Sequence, residues 1–337
     1  MSSVDVIVPC YRYGRYLREC VQTVLAQGLE HTRVLIIDDA SPDDTAEVAT
    51  ALCNETKRVH FIRHATNKGH IATYNEGIEW VSADYLLLLS ADDFLLPGAL
   101  ARATTLLDEH PHVGFTFGNA IALNDDATFR PIRTPLLSGW KRPIRLMAGA
   151  DFIWSAGARN CVPTPTALVR TKLQREAGGY RSELPHTGDM EMWLRLASYA
   201  DVGLVNADQA VYRRHSRSMS NDYKWLRDLE QREAAVRWFI NESGSRMRDC
   251  DGVSAHLLEQ VGLEAVGAAS AAFNEGRFDV MRELSSYASR TSPKVNRSLP
   301  WIKLALKQRL GLAGWRALSV LTPASSFRDG RYPSGSE

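Results

Sequence analysis

The chain has 337 residues, of which 45% are hydrophobic and 23% charged, a balance that suits one large or two ordinary soluble domains. Forty basic residues against 39 acidic ones leave a formal charge of +1. That is too little for a global basic field, so nucleic acid is not expected as a partner.

The five cysteines, at 10, 20, 53, 161 and 250, are odd in number and show no CxxC or other metal-ligand spacing. They point to a reduced, cytoplasmic setting rather than a disulfide framework. The opening MSSVDVIVP lacks the charged start and apolar core of a signal peptide. Nowhere do eighteen apolar residues follow one another, so no transmembrane helix is expected.

VDVIVP (4–9) reads as a buried strand, because β-branched residues run without a polar break. In YGRYLRECVQTVLAQG the apolar Leu17, Val21, Val24 and Leu25 share one helical face, and Gly28 marks the stop. RVLIID (33–38) is a second strand. SPDDT (41–45) then reads as a helix start, with Ser41 as cap and Pro42 in the first turn. VHFIRH (59–64) gives a third strand, YNEGIEWV a helix and YLLLLS (85–90) a fourth strand. ALARATTLLDEH follows as a helix, then VGFTFGNAIAL (113–123) as an extended segment. Alternation of this kind implies an α/β fold, a mainly parallel central sheet flanked by helices.

Residues 124–165 are less regular and carry Trp140, Trp154 and the loop NCVPTPT (160–166). HTGDMEMWLRLASYA (186–200) reads as a helix entered by an acidic residue, and QAVYRRH (209–215) as a last extended piece. Beyond about residue 222 the pattern becomes helical. The expected division is therefore 1–222 as an α/β domain, 223–325 as a helical extension and 326–337 as a disordered tail.

Polar groups follow three of the strands: Pro9-Cys10-Tyr11, Asp38-Asp39 and Asp92-Asp93. In a parallel sheet ligands collect outside the carboxyl ends of the strands, so these groups converge on one edge. The pair Asp92 and Asp93 poses an electrostatic question. Two adjacent carboxylates at the end of a buried strand must be solvated ahead of the next helix or share a cation.

The blocks VIVPCYRYGRYLRECVQTVLAQ, VLIIDDASPDDT, NKGHIATYNEGI, YLLLLSADD and GDMEMWLRLA, in that order and spacing, resemble the family 2 glycosyltransferases. The resemblance covers roughly residues 3–220. It implies the GT-A nucleotide-sugar-binding fold and sugar transfer, with inversion, from a nucleotide-diphospho-sugar. The acceptor would be a hydroxyl on a glycan, a lipid-linked saccharide or a small natural product.

By the same resemblance Pro9 and Tyr11 line the base pocket, and Asp39 accepts N3–H of uracil or thymine, which favours UDP- or dTDP-linked donors. Asp92 lies near the ribose and the metal, and Asp93 binds a divalent cation, Mn²⁺ or Mg²⁺, bridging the diphosphate. Asp189 matches the general base. His215 is a candidate metal ligand or diphosphate contact, with Arg213, Arg214 and Arg217 around it. Asp38, Asp39 and Asp189 could instead serve only as helix caps.

Three positions depart from the family pattern. Ser90 stands where an acidic residue is usual, Gly188 replaces a frequent Glu before Asp189, and Tyr74 stands before Asn75 where arginine is common. They leave open a catalytically weakened nucleotide-sugar-binding scaffold on the same fold. A nucleotidyltransferase is a poorer match, because PCYRYGRY is not a glycine-rich triphosphate loop. The segment 301–321, with Trp301, Trp315 and four basic residues, admits three roles: packing on the catalytic domain, peripheral contact with an anionic membrane, or homo-oligomerisation.

Overall fold

The computed structural model describes residues 2–214 and 226–321. The chain separates into two compact units, one of residues 1–218 with 245–247 and one of residues 219–244 with 248–337.

The first unit is built on β1 (Val4–Cys10), β2 (Thr32–Asp38), β3 (Val59–Arg63) and β4 (Tyr85–Leu88). These strands lie parallel in the order β3-β2-β1-β4. Val6 stands opposite Val34 on one side and Leu87 on the other, which is why these strands are apolar on both faces. Helices α1 (Gly14–Leu25), α2 (Thr45–Glu55) and α3 (His70–Trp80) make the crossovers. In α1 Leu17, Val21 and Val24 are fully buried, each worth about 2 kcal/mol relative to exposure. Gly77 lets α3 approach β1, since a Cβ there would lie 2.3 Å from Ile7 Cγ2.

The sheet continues through β9 (Leu168–Arg170), β6 (Val113–Asn124), β10 (Asp201–Arg214) and β5 (Phe94–Leu95). Here it is mixed. β6 and β10 are parallel, whereas β9 runs antiparallel to both β4 and β6, and β5 antiparallel to β10. Short β7 (Phe129–Ile132) and β8 (Ile144–Met147) pair antiparallel with β6 and β10. The α/β layering with flanking helices is as expected. The antiparallel strands are short, three or four residues in β9, β7 and β8, too short for sequence alternation to reveal.

Helix α4 (Ala99–Glu109) packs on β6 and β10. Helices α5 (Gly149–Ala156), α6 (Thr171–Ala177) and α7 (Gly188–Ala197) complete the unit. Phe115 stacks on Trp193 at 5.6 Å and meets Phe152 edge-on at 5.6 Å, joining β6, α7 and α5.

One local expectation fails. Ser41 does not cap α2. Its hydroxyl accepts from the Arg12 backbone N–H at 3.0 Å, and its own N–H donates to Asp38 Oδ1 at 2.8 Å. The helix starts four residues later, at Thr45, where Asp43 Oδ1 accepts from the Thr45 hydroxyl at 2.5 Å.

The second unit is helical: α8 (Leu226–Ser243), α9 (Cys250–Asn274), α10 (Phe278–Thr291) and α11 (Leu299–Leu321). Arg232 clamps Glu264 through two hydrogen bonds of 2.5 and 2.7 Å, and the Tyr287 hydroxyl donates to the Leu229 carbonyl at 2.9 Å. Helix α10, which the sequence reading did not single out, buries Met281, Leu284, Tyr287 and Ala288 at three- and four-residue spacing. No described helix is long and apolar enough to cross a membrane.

Gly149, at the start of α5, touches the end of α7. A Cβ there would sit 2.0 Å from the Ala197 carbonyl oxygen and 2.6 Å from that of Ala200. Both obstacles are backbone, so Gly149→Ala must push the helices apart. Thermal denaturation followed by circular dichroism should show a loss of about 3 kcal/mol, or roughly 5–10 °C. An unchanged melting point would show that the contact yields freely.

Candidate functional site

The loops after β1 and β2 are cross-braced. Arg12 and Ala40 both adopt positive φ, at 65° and 60°, which costs a non-glycine residue energy. The Ser41 bond to the Arg12 N–H and a 2.9 Å bond from the Asp39 N–H to the Cys10 carbonyl hold the two loops together. Pro9 is the half-buried penultimate residue of β1, and Tyr11 is exposed with the Arg12 guanidinium 5.0 Å above its ring.

Asp39 is buried and organises its surroundings. Its Oδ1 accepts from the Lys68 N–H at 2.7 Å and pairs with His64 Nδ1 at 2.7 Å, while Oδ2 accepts from the Gly69 N–H at 2.9 Å. Gly69 is at φ 85°, which turns the loop so that both amides face the carboxylate. His64 Nε2 lies 3.0 Å from Glu76 Oε2, and Glu76 is held below the usual carboxylate range by Lys68 and His64. Three of about four acceptor positions on the Asp39 carboxylate are used. Asp39 is thus no helix cap. Asp38, on β2, accepts from the Ser41 N–H and has Arg63 Nε 3.2 Å away.

Beyond β4, on the other side of β1, Asp92 and Asp93 are both buried. They are not a solvated pair. The antiparallel pairing of β5 with the end of β10 carries Asp93 to Arg213, whose backbone N–H donates to Asp93 Oδ1 at 2.9 Å. Burial and the adjacent Asp92 charge push the Asp93 carboxyl well above its ordinary range. The Arg213 guanidinium pairs with Glu19 and lies 4.7 Å over the Tyr16 ring, and its charge partly offsets the rise at Asp93. Arg214 is exposed. His215 and Arg217 lie outside the described residues.

Asp189 is in the first turn of α7, half-buried. Its Oδ2 accepts from Asn160 Nδ2 at 2.5 Å and from the Thr164 hydroxyl at 3.3 Å, and Oδ1 accepts from the Met190 N–H at 2.7 Å. Burial raises its pKa, partly offset by the Met190 and Thr164 bonds. The helix itself is anchored by a buried ion pair. Glu191 meets Arg195 at 2.8 Å, and Arg195 also donates to the carbonyls of Ala177 at 2.6 Å and Gly179 at 2.8 Å.

Tyr74 links the acidic groups. Its hydroxyl is held protonated by burial and by the fields of Asp189, Asp92, Tyr212 and Asp93. Its ring lies 5.4 Å from Tyr180, edge-on. Asn75, the next residue, fixes Tyr180 by reciprocal bonds, donating to the Tyr180 carbonyl at 2.8 Å and accepting from its N–H at 2.7 Å. Tyr13 is raised likewise by burial and then by Asp92, Tyr212 and Asp93. The fields of Asp92 and Asp93 thus reach both the Tyr13 and the Tyr74 hydroxyl, and that of Asp189 reaches Tyr74.

Sequence reasoning missed His64, Glu76, Asn160 and Thr164. His64 at a strand end and Asn160 in a proline-rich loop were visible as polar residues in suggestive places, but their partners are 12 to 29 residues away.

The family model described as glycosyl transferase family 2 matches residues 5–174. An uncharacterized protein of Mycobacterium tuberculosis is 25% identical over 244 residues, covering 70% of this chain and 75% of its own. An uncharacterized glycosyltransferase of Haemophilus influenzae is 24% identical over 268 residues, covering 76% and 79%. Among solved structures, residues 1–349 of S. aureus TarS in complex with UDP-GlcNAc align with a TM-score of 0.64 at 17% identity, covering 91% of each chain. That likeness is one of fold.

Were Asp189 a general base, it would have to be unprotonated to work, and its raised pKa would place the acid limb of a pH–rate profile above that of an ordinary aspartate, with activity lost below it. Asn160→Ala removes a donor to the charged form and should move the limb to still higher pH. A limb that does not move on this substitution would mean Asp189 is not the titrating group.

Proposed function

The chain belongs to glycosyltransferase family 2, and on that premise we propose that it transfers a sugar, with inversion, from a UDP- or dTDP-linked donor to an acceptor hydroxyl. One observation carries this reading: buried Asp93, held by the Arg213 backbone N–H, and buried Asp92 beside it form the cation-seeking acidic pair that such a donor site needs, in a chain whose α7 presents Asp189 oriented by Asn160, Thr164 and Met190. The acidic pair would serve the diphosphate and Asp189 the acceptor hydroxyl proton.

Tyr11 offers an exposed ring on which a pyrimidine can stack. Asp39 keeps an acceptor position for a base N3–H, which uracil and thymine have and cytosine lacks. TarS binds UDP-GlcNAc in its crystal structure, which favours a UDP donor here. The acceptor is a hydroxyl on a glycan, a lipid-linked saccharide or a small natural product.

The residues present fit a divalent cation. Two buried carboxylates oppose each other with one backbone N–H as the observed donor to Asp93, and oxygen donors suit Mg²⁺ or Mn²⁺. Among the described residues no three His, Cys, Asp or Glu side chains converge on one point. Asp92 and Asp93 would hold the ion together with donor oxygens, as Mg²⁺ sites with few protein ligands do. When bound, the ion supplies Lewis-acid stabilisation of the departing diphosphate. Asp189, oriented by Asn160 and Thr164, takes the acceptor hydroxyl proton at Oδ1 or Oδ2 as that oxygen attacks.

Hydrolysis of UDP-, dTDP- and GDP-sugars without acceptor, with Mn²⁺, Mg²⁺ or EDTA, tests the reading. One nucleoside diphosphate should be released slowly, and EDTA or Asp93→Asn should abolish release. Asp189→Asn should lower transfer to an acceptor by about a thousandfold while leaving donor binding in place. Metal-dependent binding with no turnover for any acceptor would favour the scaffold reading. No nucleotide binding at all would remove Tyr11, Asp39 and Asp93 from the donor site.

A further inference from the structure

From Leu284 to Leu321 the chain carries seven basic residues and no acidic one. The whole chain is only +1, so the remainder stands at −6. Five of the seven, Arg290, Lys294, Arg297, Arg309 and Arg316, are exposed. Positive charge is thus concentrated on the last turn of α10, the turn after it and α11, whereas the first half of α10 carries exposed Asp279 and Glu283 beside Arg282.

The same stretch exposes apolar side chains in register. Leu299 is 81% exposed, Ile302 54%, Leu306 43% and Leu310 42%. At 100° per residue these four fall within about 80° of one another and run about 16 Å along the helix. The rotation of α11 is fixed from its other side. Leu304 is buried, and buried Lys307 donates to Ser270 Oγ at 2.7 Å and Asn274 Oδ1 at 2.9 Å on α9. The stripe therefore cannot turn inward without breaking those bonds and withdrawing Leu304 from its buried position. It ends at Gly311, where φ 67° and ψ 171° interrupt the helix.

We propose that this face of α11 docks on an anionic lipid bilayer, lying in the interface with the Leu299–Leu310 stripe among the acyl chains and the flanking basic residues on the headgroups. An apolar ridge beside exposed Arg309, with no carboxylate for 38 residues to repel the surface, meets both requirements of an interfacial helix. No described helix can span the membrane, so contact is peripheral. The inference does not depend on the sugar-transfer reading.

The test is cosedimentation of the full chain with phosphatidylcholine vesicles, with and without about one-third phosphatidylglycerol, at low and high salt. Binding should need the anionic lipid and weaken with salt. Ile302→Glu with Leu306→Glu should reduce the bound fraction by about tenfold or more, and Arg309→Glu should raise the lipid needed, with nucleotide release unchanged. Absence of binding to anionic vesicles overturns the proposal. So does a stripe variant that binds as before but dissociates an oligomer in light scattering, because a second copy of the chain would then cover the face.

Discussion

Two carboxylates in succession at the end of a buried strand set the problem that the catalytic unit solves. Asp92 and Asp93 are removed from water, and burial together with the Asp92 charge raises the cost of ionising Asp93. Their position is not negotiable, because β4 is locked beside β1 and β5 is paired to the end of β10. Among the contacts of Asp93, the Arg213 backbone N–H bonds its Oδ1 and the Arg213 charge partly offsets the burial. The cation proposed for the pair would add a positive charge where burial resists ionisation. The missing acidic residue at Ser90 lessens the repulsion without removing it.

The donor side is built differently. Asp39 spends three acceptor positions on its own protein, drawing the 64–69 loop over the ends of β2 and β3. Two positive-φ residues, Arg12 and Ala40, are held by the Ser41 and Asp39 bonds that cross between the loops. Strain kept in place by hydrogen bonds makes a stiff rim, suited to a planar base. Asp39 therefore has a structural duty besides the base recognition proposed for it, and a single substitution would disturb both.

The acceptor side depends on α7. A buried Glu191–Arg195 pair satisfies the carbonyls of Ala177 and Gly179 and so fixes helix and preceding loop as one piece. Asn75 ties Tyr180 in that loop to α3, next to Tyr74. The bonds from α3 through Tyr180 and the α7 ion pair fix the setting of Asp189, the residue proposed as base. The residues that depart from the family pattern, Tyr74 and Gly188, lie on this path. The phenol changes the local charge at that point but leaves the Asn75 bonds intact.

The sequence alone determined the elements with strong periodicity. Strands β1, β2 and β4 and helices α1, α4 and α7 are legible because apolar spacing and strand-end polar groups are local signals. It also placed Pro9, Tyr11, Asp39, Asp92 and Asp93 near one sheet edge, through the rule that parallel strands present their carboxyl ends together, whereas Asp189 was singled out only through the family resemblance. The tertiary structure decided the rest. Ser41 looked like a cap and became a brace, because its partner Arg12 lies 29 residues away. The antiparallel β9, the Asp39–His64–Glu76 chain, the Asn160 contact to Asp189 and the outward rotation of α11 all depend on pairings between distant segments. A hydrogen bond or ion pair of this kind is chosen by three-dimensional proximity, and no local pattern of hydrophobicity encodes its partner.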